Sequence, residues 1–372
     1  MAVHAAHPGG RDEAVRFLRR AGIGPDDVVS LEPISGGTYN TLFRLRTADG
    51  RRLVLKIPPP HNTSGLQYEL GLLHGETTYY RALAGLRDVP VPRIVHAAEA
   101  DAAGAGARLP RRTGGFLLMT ECPGASWSEL SGELSNEERS GLRRSLGRTL
   151  AHVHTVRGSE FGYPAKQSGP LTTGWREAFT RMLHAVLEDA QRYAAWLPLS
   201  VQVIRALTDA AAPALDEVTT PVPVHLDLWE GNILITGAAG RRTVSGIVDG
   251  ERMFWGDPLA DFPSLLLFGK AEDDPDLIAG YLATAVGTDL DDAAARTRLA
   301  LYRCYLYLIM LVETVPRAST QETVSWTHTH AAPALRSALD DLGHRRLGPW
   351  DQAQMPSESG NGVPCARSCD EV

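Results

Sequence analysis

The N-terminal third of the chain carries short segments in which apolar and polar positions alternate, the period expected of β-strands. Glycine-containing breaks separate these segments, and the Asp49-Gly50 pair is typical of a tight hairpin. Apolar stripes with a helical period cover residues 11–22 and 69–86. The pattern therefore predicts two helices and a set of short strands, the strands at residues 28–35, 39–46, 52–57, 93–97 and 115–121.

Beyond Pro123-Gly124 the apolar period changes to that of helices. A single further strand is predicted at residues 243–248, and helices are predicted at residues 136–156, 176–196 and 201–218 and over most of the chain from there to about residue 343. A small β-rich N-terminal lobe followed by a larger, mainly helical C-terminal lobe is the element order of protein-kinase-like folds. The predicted fold class is therefore α+β, with a protein-kinase-like two-lobed architecture.

The composition, with 43% hydrophobic and 22% charged residues in a chain of 372, is that of a globular protein with two domains or lobes. A formal net charge of −7 argues against nonspecific nucleic-acid binding, which needs a basic face. The most apolar late segment, residues 299–315, is too short and too polar to span a bilayer, and the N-terminus has no signal-peptide core. No zinc or disulfide pattern is visible around the cysteines. The simplest prediction is a cytoplasmic enzyme without nucleic-acid or membrane partners.

One apolar run, VHLDLWEGNIL at residues 224–234, is interrupted by polar side chains that would destabilise a buried strand by a few kcal/mol each if unpaired. Asp227 precedes Asn232 by five positions, and Asp249 closes the later apolar segment VSGIVD. Kinases place a catalytic Asp and a metal-binding Asn at this spacing, and a second metal-binding Asp at the end of a nearby strand. The run is therefore predicted to be a strand end, a catalytic loop and a strand start.

On these residues the chain resembles the aminoglycoside phosphotransferase family, the small-molecule branch of the protein-kinase-like superfold. The resemblance extends over roughly residues 30–345. The matching motifs are His225-Leu226-Asp227 with Asn232, Ile247-Val248-Asp249, and Trp255-Gly256-Asp257-Pro258 with Asp261.

The resemblance implies a role for each matching residue. Asp227 corresponds to the catalytic Asp, and Asn232 and Asp249 correspond to the ligands of Mg²⁺, with ATP or GTP as the phosphoryl donor. His225 corresponds to a position that braces the loop. Asp261 is expected to cap the helix that follows it, as Asp commonly does.

In the N-terminal lobe, Lys56 ends the segment LVLK, where the kinase pattern places the lysine that pairs with the donor phosphates. Its carboxylate partner is expected to be Glu76 rather than Glu69. The resemblance further implies a phosphate-covering turn and a hinge that binds the adenine edge. The residues assigned to them are Ser35, Gly36, Gly37 and Thr38 in the turn, and Thr120 and Cys122 in the hinge.

The same resemblance implies the domain boundaries. A nucleotide-binding lobe is predicted for residues 1–118, a hinge for 119–125 and a catalytic and acceptor-binding lobe for 126–348. Residues 349–372 are polar, lack apolar periodicity and are predicted to be a disordered tail.

Three positions near the motifs need separate interpretation. Leu226 stands where the family often has Gly, a departure expected to affect packing only. Glu251 is expected to approach a second metal or the acceptor, or to be simply solvated. Trp229 lies two residues from Asp227 in a loop and is predicted to contact the acceptor.

Rival functions are distinguished by motifs. A protein kinase needs an activation segment, for which Gly256-Asp257-Pro258 follows Asp249 too closely, and no P-loop motif occurs in the sequence. A catalytically inactive binding module typically loses one of the lysine, catalytic Asp or metal-ligand positions, and all are present here. The leading acceptor is an aminoglycoside or another antibiotic. The alternatives are the acceptors of fructosamine-type, choline or homoserine kinases, and the oligomeric state stays open.

Overall fold

The structure, a computed structural model, describes residues 10–34, 40–59, 65–98, 115–270, 273–285, 290 and 292–344. The predicted tail at 349–372 and the predicted phosphate-covering turn, Ser35, Gly36, Gly37 and Thr38, lie outside the described residues.

The N-terminal region is an antiparallel sheet of five strands in the order β1-β2-β3-β5-β4, and the Asp49-Gly50 hairpin joins β2 to β3. Its strands are β1 (Val28–Ile34), β2 (Thr41–Thr47), β3 (Arg52–Ile57), β4 (Ile94–Ala98) and β5 (Phe116–Thr120). Helix α1 (Gly10–Arg20) packs its Phe17 against one face of this sheet. Helix α2 (Leu72–Leu83) lies between the sheet and the rest of the chain.

The C-terminal region is mainly helical and is built around one long buried helix, α9, whose tyrosines Tyr302, Tyr305 and Tyr307 are almost fully enclosed. The helices are α3 (Trp127–Leu130), α4 (Asn136–Val153), α5 (Trp175–Arg192), α6 (Val201–Ala211), α7 (Phe262–Leu265), α8 (Pro275–Leu282), α9 (Ala293–Glu313) and α10 (Gln321–His344).

Two small antiparallel sheets in this region carry the predicted motifs. They comprise β6 (Ala125–Ser126), β8 (Ile233–Thr236) and β9 (Thr243–Ile247) in one, and β7 (Val222–Val224) and β10 (Phe254–Gly256) in the other. The predicted catalytic loop therefore begins where β7 ends and finishes where β8 starts. The segment around Asp249 connects β9 to β10.

The strands predicted from alternation are confirmed, with ends that shift by a residue or two. The helix predicted at 69–86 begins later, at Leu72, because residues 67–69 form a separate 3₁₀ turn. The helix predicted at 201–218 ends at Ala211, where Pro213 cannot continue the α-helical hydrogen bonding, and a 3₁₀ turn follows. Strands β6, β7 and β10 are two or three residues long, too short for a periodic pattern.

Within the described part of the chain, no helix combines the length and apolarity needed to cross a membrane.

Close approach of α4 and α8 requires glycine on both helices. A Cβ on Gly147 would overlap the Leu277 carbonyl oxygen, and one on Gly280 would overlap the Arg144 carbonyl.

We predict that Gly147→Ala lowers the free energy of unfolding by about 1–3 kcal/mol, because the two helices must separate. Gly141→Ala, on the exposed side of α4 with open space around it, should raise it by about 0.5–1 kcal/mol. Denaturant unfolding measures both, and equal effects would contradict the packing.

Candidate active site

The loop between β7 and β8 is organised by His225, which is completely buried. The Asp227 backbone N–H donates to His225 Nδ1 at 3.2 Å, so Nδ1 is an acceptor. The opposite ring nitrogen, Nε2, then carries the proton and donates to the Val248 carbonyl at 3.0 Å. His225 therefore ties the catalytic loop to the end of β9, next to Asp249.

Asp261 holds the same loop from the other side. Its Oδ1 accepts the backbone N–H groups of His225 and Leu226, each at 2.8 Å, and its Oδ2 lies 3.0 Å from His154 Nε2. The prediction that Asp261 caps the following helix is wrong, because its side chain makes no capping hydrogen bond to α7. Its carboxylate instead joins the loop to His154 at the end of α4.

The backbone of Leu226 is left-handed, with φ of 67°. Such a conformation is unfavourable for a residue with a Cβ, and glycine adopts it without strain. The prediction that Leu226 affects packing only is therefore wrong: the position constrains the backbone, and the two N–H bonds to Asp261 hold it there. The Leu226 side chain is fully buried, which offsets the strain.

Asp227 and Asn232 face each other across the turn of the loop. Asn232 Nδ2 donates to the Asp227 carbonyl at 2.9 Å and to its Oδ2 at 3.3 Å. This orientation leaves the amide oxygen of Asn232 as its potential ligand atom. Arg252 Nε lies 3.8 Å from the same Asp227 Oδ2, beyond hydrogen-bonding distance. Partial burial raises the pKa of Asp227, although the charge of Arg252 opposes the rise.

Asp249 is also left-handed, with φ of 64°, at the start of a 3₁₀ turn over residues 250–252. Its backbone N–H donates to the hydroxyl of Tyr80 on α2, at 2.9 Å. Helix α2 fits tightly against this turn, because a Cβ on Gly75 would lie 2.6 Å from the Glu251 carbonyl oxygen. A Cβ on Gly250 would likewise lie 2.7 Å from the Tyr79 ring.

Lys56 is the point at which β3, α2 and the 250–252 turn meet. Its Nζ lies 2.7 Å from Glu76, 2.5 Å from Asp249 and 2.7 Å from Glu251, and the lysine is 3% exposed. Burial alone would lower the pKa of Lys56, but the carboxylates hold it well above its usual value. Burial raises and Lys56 lowers the pKa of Asp249, which ends below its ordinary value.

Glu251 is buried against Lys56 rather than solvated, which excludes the last of the three interpretations. The Asn40 side-chain amide donates to Glu251 Oε2 at 2.8 Å. Burial, with the charges of Asp249 and Glu76, raises the pKa of Glu251 to about 7, against the pull of Lys56.

The two residues assigned to the hinge, Thr120 and Cys122, differ in their surroundings. Both the backbone N–H and the hydroxyl of Thr120 are bonded to the main chain of Arg93, so these groups face the neighbouring chain segment. The Glu121 carboxylate between them forms ion pairs with Arg44 Nε at 2.6 Å and with Arg52 Nε at 2.7 Å. Cys122 packs over Gly246 of β9, where a Cβ would lie 2.8 Å from its own. This places Cys122 against β9, the strand that leads to Asp249.

Trp229 is 44% exposed, and its ring covers Gly231, so it forms an open apolar surface beside the catalytic loop. Sequence reasoning missed the part played by Arg252, which lies three positions after Asp249 and reaches Asp227. It also missed Glu313 at the end of α9, which lies 3.0 Å from Arg252. Only the proximity of Arg252 to a motif could have signalled its role, because Glu313 is far away in the sequence.

The residues fit a divalent cation. The carboxylate oxygens of Glu76, Asp249 and Glu251 lie within 4.8 Å of one another, and the amide oxygen of Asn232 is a further oxygen donor. Oxygen donors of this kind suit Mg²⁺. With Asp227 included, the site has four carboxylates. They outnumber its two cationic side chains, Lys56 and Arg252.

Comparison with known proteins agrees with this geometry. The model of the phosphotransferase enzyme family, APH, matches residues 30–302. No curated protein matches the sequence significantly.

Several solved structures share the fold. A protein from Thermobifida fusca YX-ER1 assigned as a fructosamine-3-kinase is 19% identical, with a TM-score of 0.60 over 88% of this chain and 98% of that one. A thermostable mutant of the aminoglycoside phosphotransferase APH(4)-Ia is 16% identical, with a TM-score of 0.57 over 86% and 97%. A microcompartment-associated aminopropanol kinase is 19% identical, with a TM-score of 0.56 over 90% and 98%. The predicted kinase-like two-lobed fold is confirmed.

The raised pKa of Glu251 gives a test of the buried cluster. Between its ordinary value of 4.5 and about 7, the folded protein keeps a proton that the unfolded chain has lost. Glu251 should therefore make the free energy of unfolding fall as the pH rises through this window. Glu251→Gln should remove the contribution of Glu251 to this pH dependence of the free energy of unfolding. Denaturant unfolding at pH 5 and pH 7.5 without nucleotide measures the change. The exposed control Glu137→Gln should keep this contribution, and a slope unchanged in Glu251→Gln would contradict the burial effect.

Proposed function

The chain belongs to the phosphotransferase enzyme family, and we propose that it transfers the γ-phosphoryl group of ATP or GTP to a hydroxyl group of a small molecule, an aminoglycoside or another antibiotic. One observation carries the proposal. A buried lysine, paired with a helical carboxylate, meets Asp249 at 2.5 Å, beside a loop in which Asp227 and Asn232 are joined. Phosphoryl transfer in kinase-like enzymes uses these groups together.

Asp227 is the proposed catalytic residue. It accepts the proton of the attacking hydroxyl and orients that oxygen toward the donor phosphate. A raised pKa suits a carboxylate that takes up a proton near neutral pH, and the hydrogen bonds of His225 and Asn232 fix its position. The loop is therefore held in place without a substrate.

Lys56 and the proposed metal ligands act on the donor. Asp249 and Asn232 would hold Mg²⁺, which supplies charge neutralisation on the transferring phosphoryl group when bound. Lys56 would bind the donor phosphates, and Glu76 keeps its ammonium group directed into the cleft. The Glu251 carboxylate is close enough to Lys56 to stabilise its charge, and close enough to Asp249 to face a metal ion held there.

The nucleotide base would bind at the hinge, on the Cys122 side rather than through the N–H of Thr120, which is already bonded. The residues 1–118, 119–125 and 126–348 would then form the nucleotide-binding lobe, the hinge and the acceptor-binding lobe. Residues 35–38 are proposed to cover the phosphates.

The acceptor class is argued from the family and from the surface next to Asp227. Exposed Trp229 offers a flat apolar face for a ring of the acceptor, and the chain's net charge of −7 tolerates a cationic ligand. An antibiotic with several hydroxyl and amino groups meets both requirements.

A nucleotide-consumption screen tests the proposed reaction. Purified protein is incubated with Mg²⁺ and ATP or GTP and a panel of aminoglycosides, other antibiotics, ketoamines, choline and homoserine. Mass spectrometry then locates the added phosphate. A phosphorylated antibiotic hydroxyl is the expected result. A phosphorylated ketoamine would instead show that the acceptor is a metabolite and not an antibiotic. Modification of a protein substrate alone would contradict a small-molecule acceptor.

Two substitutions should separate the proposed roles of the carboxylates. Asp227→Asn should reduce kcat by about 100-fold or more and leave the Kd of Mg·ATP within about 2-fold, because it removes the proton acceptor. Asp249→Ala should weaken Mg-dependent nucleotide binding as well as abolish turnover. Isothermal titration and steady-state kinetics measure the contrast. Loss of nucleotide affinity in Asp227→Asn would instead make Asp227 a binding residue.

A further inference from the structure

A short segment between β3 and α2, residues 65–70, packs on the C-terminal helices and is called the strap here. Its Leu66 and Tyr68 are 1% and 5% exposed and belong to the C-terminal core. The Gly65 N–H donates to the hydroxyl of Tyr193, and the Gln67 N–H donates to Asp189 on α5 at 2.7 Å. The strap is therefore fixed to the C-terminal region although it connects two N-terminal elements.

A row of partly buried charges leads from the strap to the loop that carries Asp227. Glu69 of the strap lies 2.6 Å from Arg317, and Arg317 lies 3.1 Å from Glu313. Glu313 lies 3.0 Å from Arg252, which stops 3.8 Å from Asp227. Because these charges are only partly open to solvent and lie within 4 Å of one another, each pair affects the next.

Glu313 is the branching point of this row. Its Oε2 accepts hydrogen bonds from Arg252 at 3.0 Å and from the Tyr68 hydroxyl of the strap at 3.4 Å, and it forms an ion pair with Arg317 at 3.1 Å. Two carboxylates, those of Glu313 and Asp227, thus compete for one guanidinium group. Arg252 makes a hydrogen bond to Glu313 and only a long ion pair to Asp227.

We propose that Glu313 is a positioning residue that holds Arg252 off Asp227 and so leaves the Asp227 carboxylate available to the acceptor hydroxyl. Glu69 supports it by balancing Arg317, which would otherwise draw Glu313 away from Arg252. The inference rests on the proposed function, since it assigns Asp227 the role of proton acceptor.

Neutralising Glu313 should let Arg252 close onto Asp227. An arginine–carboxylate hydrogen bond is about 2.8 Å long, so the present separation would shorten by about 1 Å. Asp227 would then be occupied when the acceptor binds. The nucleotide site would be unaffected, because among the described residues neither Glu313 nor Glu69 forms an ion pair or hydrogen bond with Lys56, Asn232 or Asp249.

The kinetic experiment compares Glu313→Gln, Glu313→Asp and Glu69→Gln with the matched control Glu188→Gln. Glu188 also contacts the strap, through the Gln67 side chain at 3.4 Å, but lies outside the row of charges. Rates are measured with Mg·ATP and the acceptor from the screen, and with water as acceptor. Glu313→Gln should lower kcat about 10-fold or more with the KM for ATP within about 2-fold, and Glu69→Gln should act in the same direction. Glu313→Asp, which keeps the charge, should recover most of the rate.

Crystal structures of the wild type and Glu313→Gln give a readout that needs no acceptor. Arg252 within hydrogen-bonding distance of Asp227 in the variant would support the proposal. Arg252 remaining in place, or a kcat for Glu313→Gln equal to that of Glu188→Gln, would overturn it. If the wild type modifies no acceptor and hydrolyses no ATP, the proposed function fails, and the Arg252 position alone then decides whether Glu313 restrains it.

Discussion

The structure depends on one lysine that is buried away from solvent and whose charge is stabilised by carboxylates. Lys56 extends from β3, the central strand of the N-terminal sheet, and is surrounded by Glu76 from α2 and by Asp249 and Glu251 from the turn before β10. Because removing one partner of a buried ion pair leaves an uncompensated charge, these three elements must stay together for the lysine to remain ionised. The same requirement that joins the two regions of the chain brings Lys56, the proposed phosphate-binding cation, to the proposed metal ligands.

Helix α2 meets this requirement by fitting the turn more closely than side chains would allow. Gly75 lets its backbone approach the Glu251 carbonyl, Gly250 makes room for Tyr79, and Tyr80 bonds the Asp249 N–H. The strap then fixes the N-terminal end of α2 to α5 through Asp189 and to α9 through Glu313. Since α2 is held at both places, Glu76 is kept on Lys56 by packing and not only by charge.

The sequence was sufficient to predict the fold class, the sheet of five strands and the family resemblance, all of which are confirmed. Those predictions follow from apolar periodicity and from motifs whose residues lie within a few positions of one another. The structure brings Lys56 and Glu76 together as expected. The sequence could not predict that Asp261 binds the backbone of the loop, or that Glu313 lies beside Arg252. These contacts join residues tens of positions apart through side-chain geometry, which no local pattern contains.

The least predictable features are also those that make the site rigid. Leu226 and Asp249 both adopt left-handed backbone conformations, which their side chains disfavour by about 1–2 kcal/mol each. Such strain persists only where surrounding bonds over-determine the backbone. Here Asp261 accepts the N–H groups of Leu226 and of the preceding His225, and Tyr80 and Lys56 hold Asp249. Local propensity therefore fails at the two loop positions where the backbone must aim Asp227 and Asp249 into one cleft. That failure is expected of a site organised before its substrates arrive, because the free energy of ordering these loops is met by folding rather than by binding.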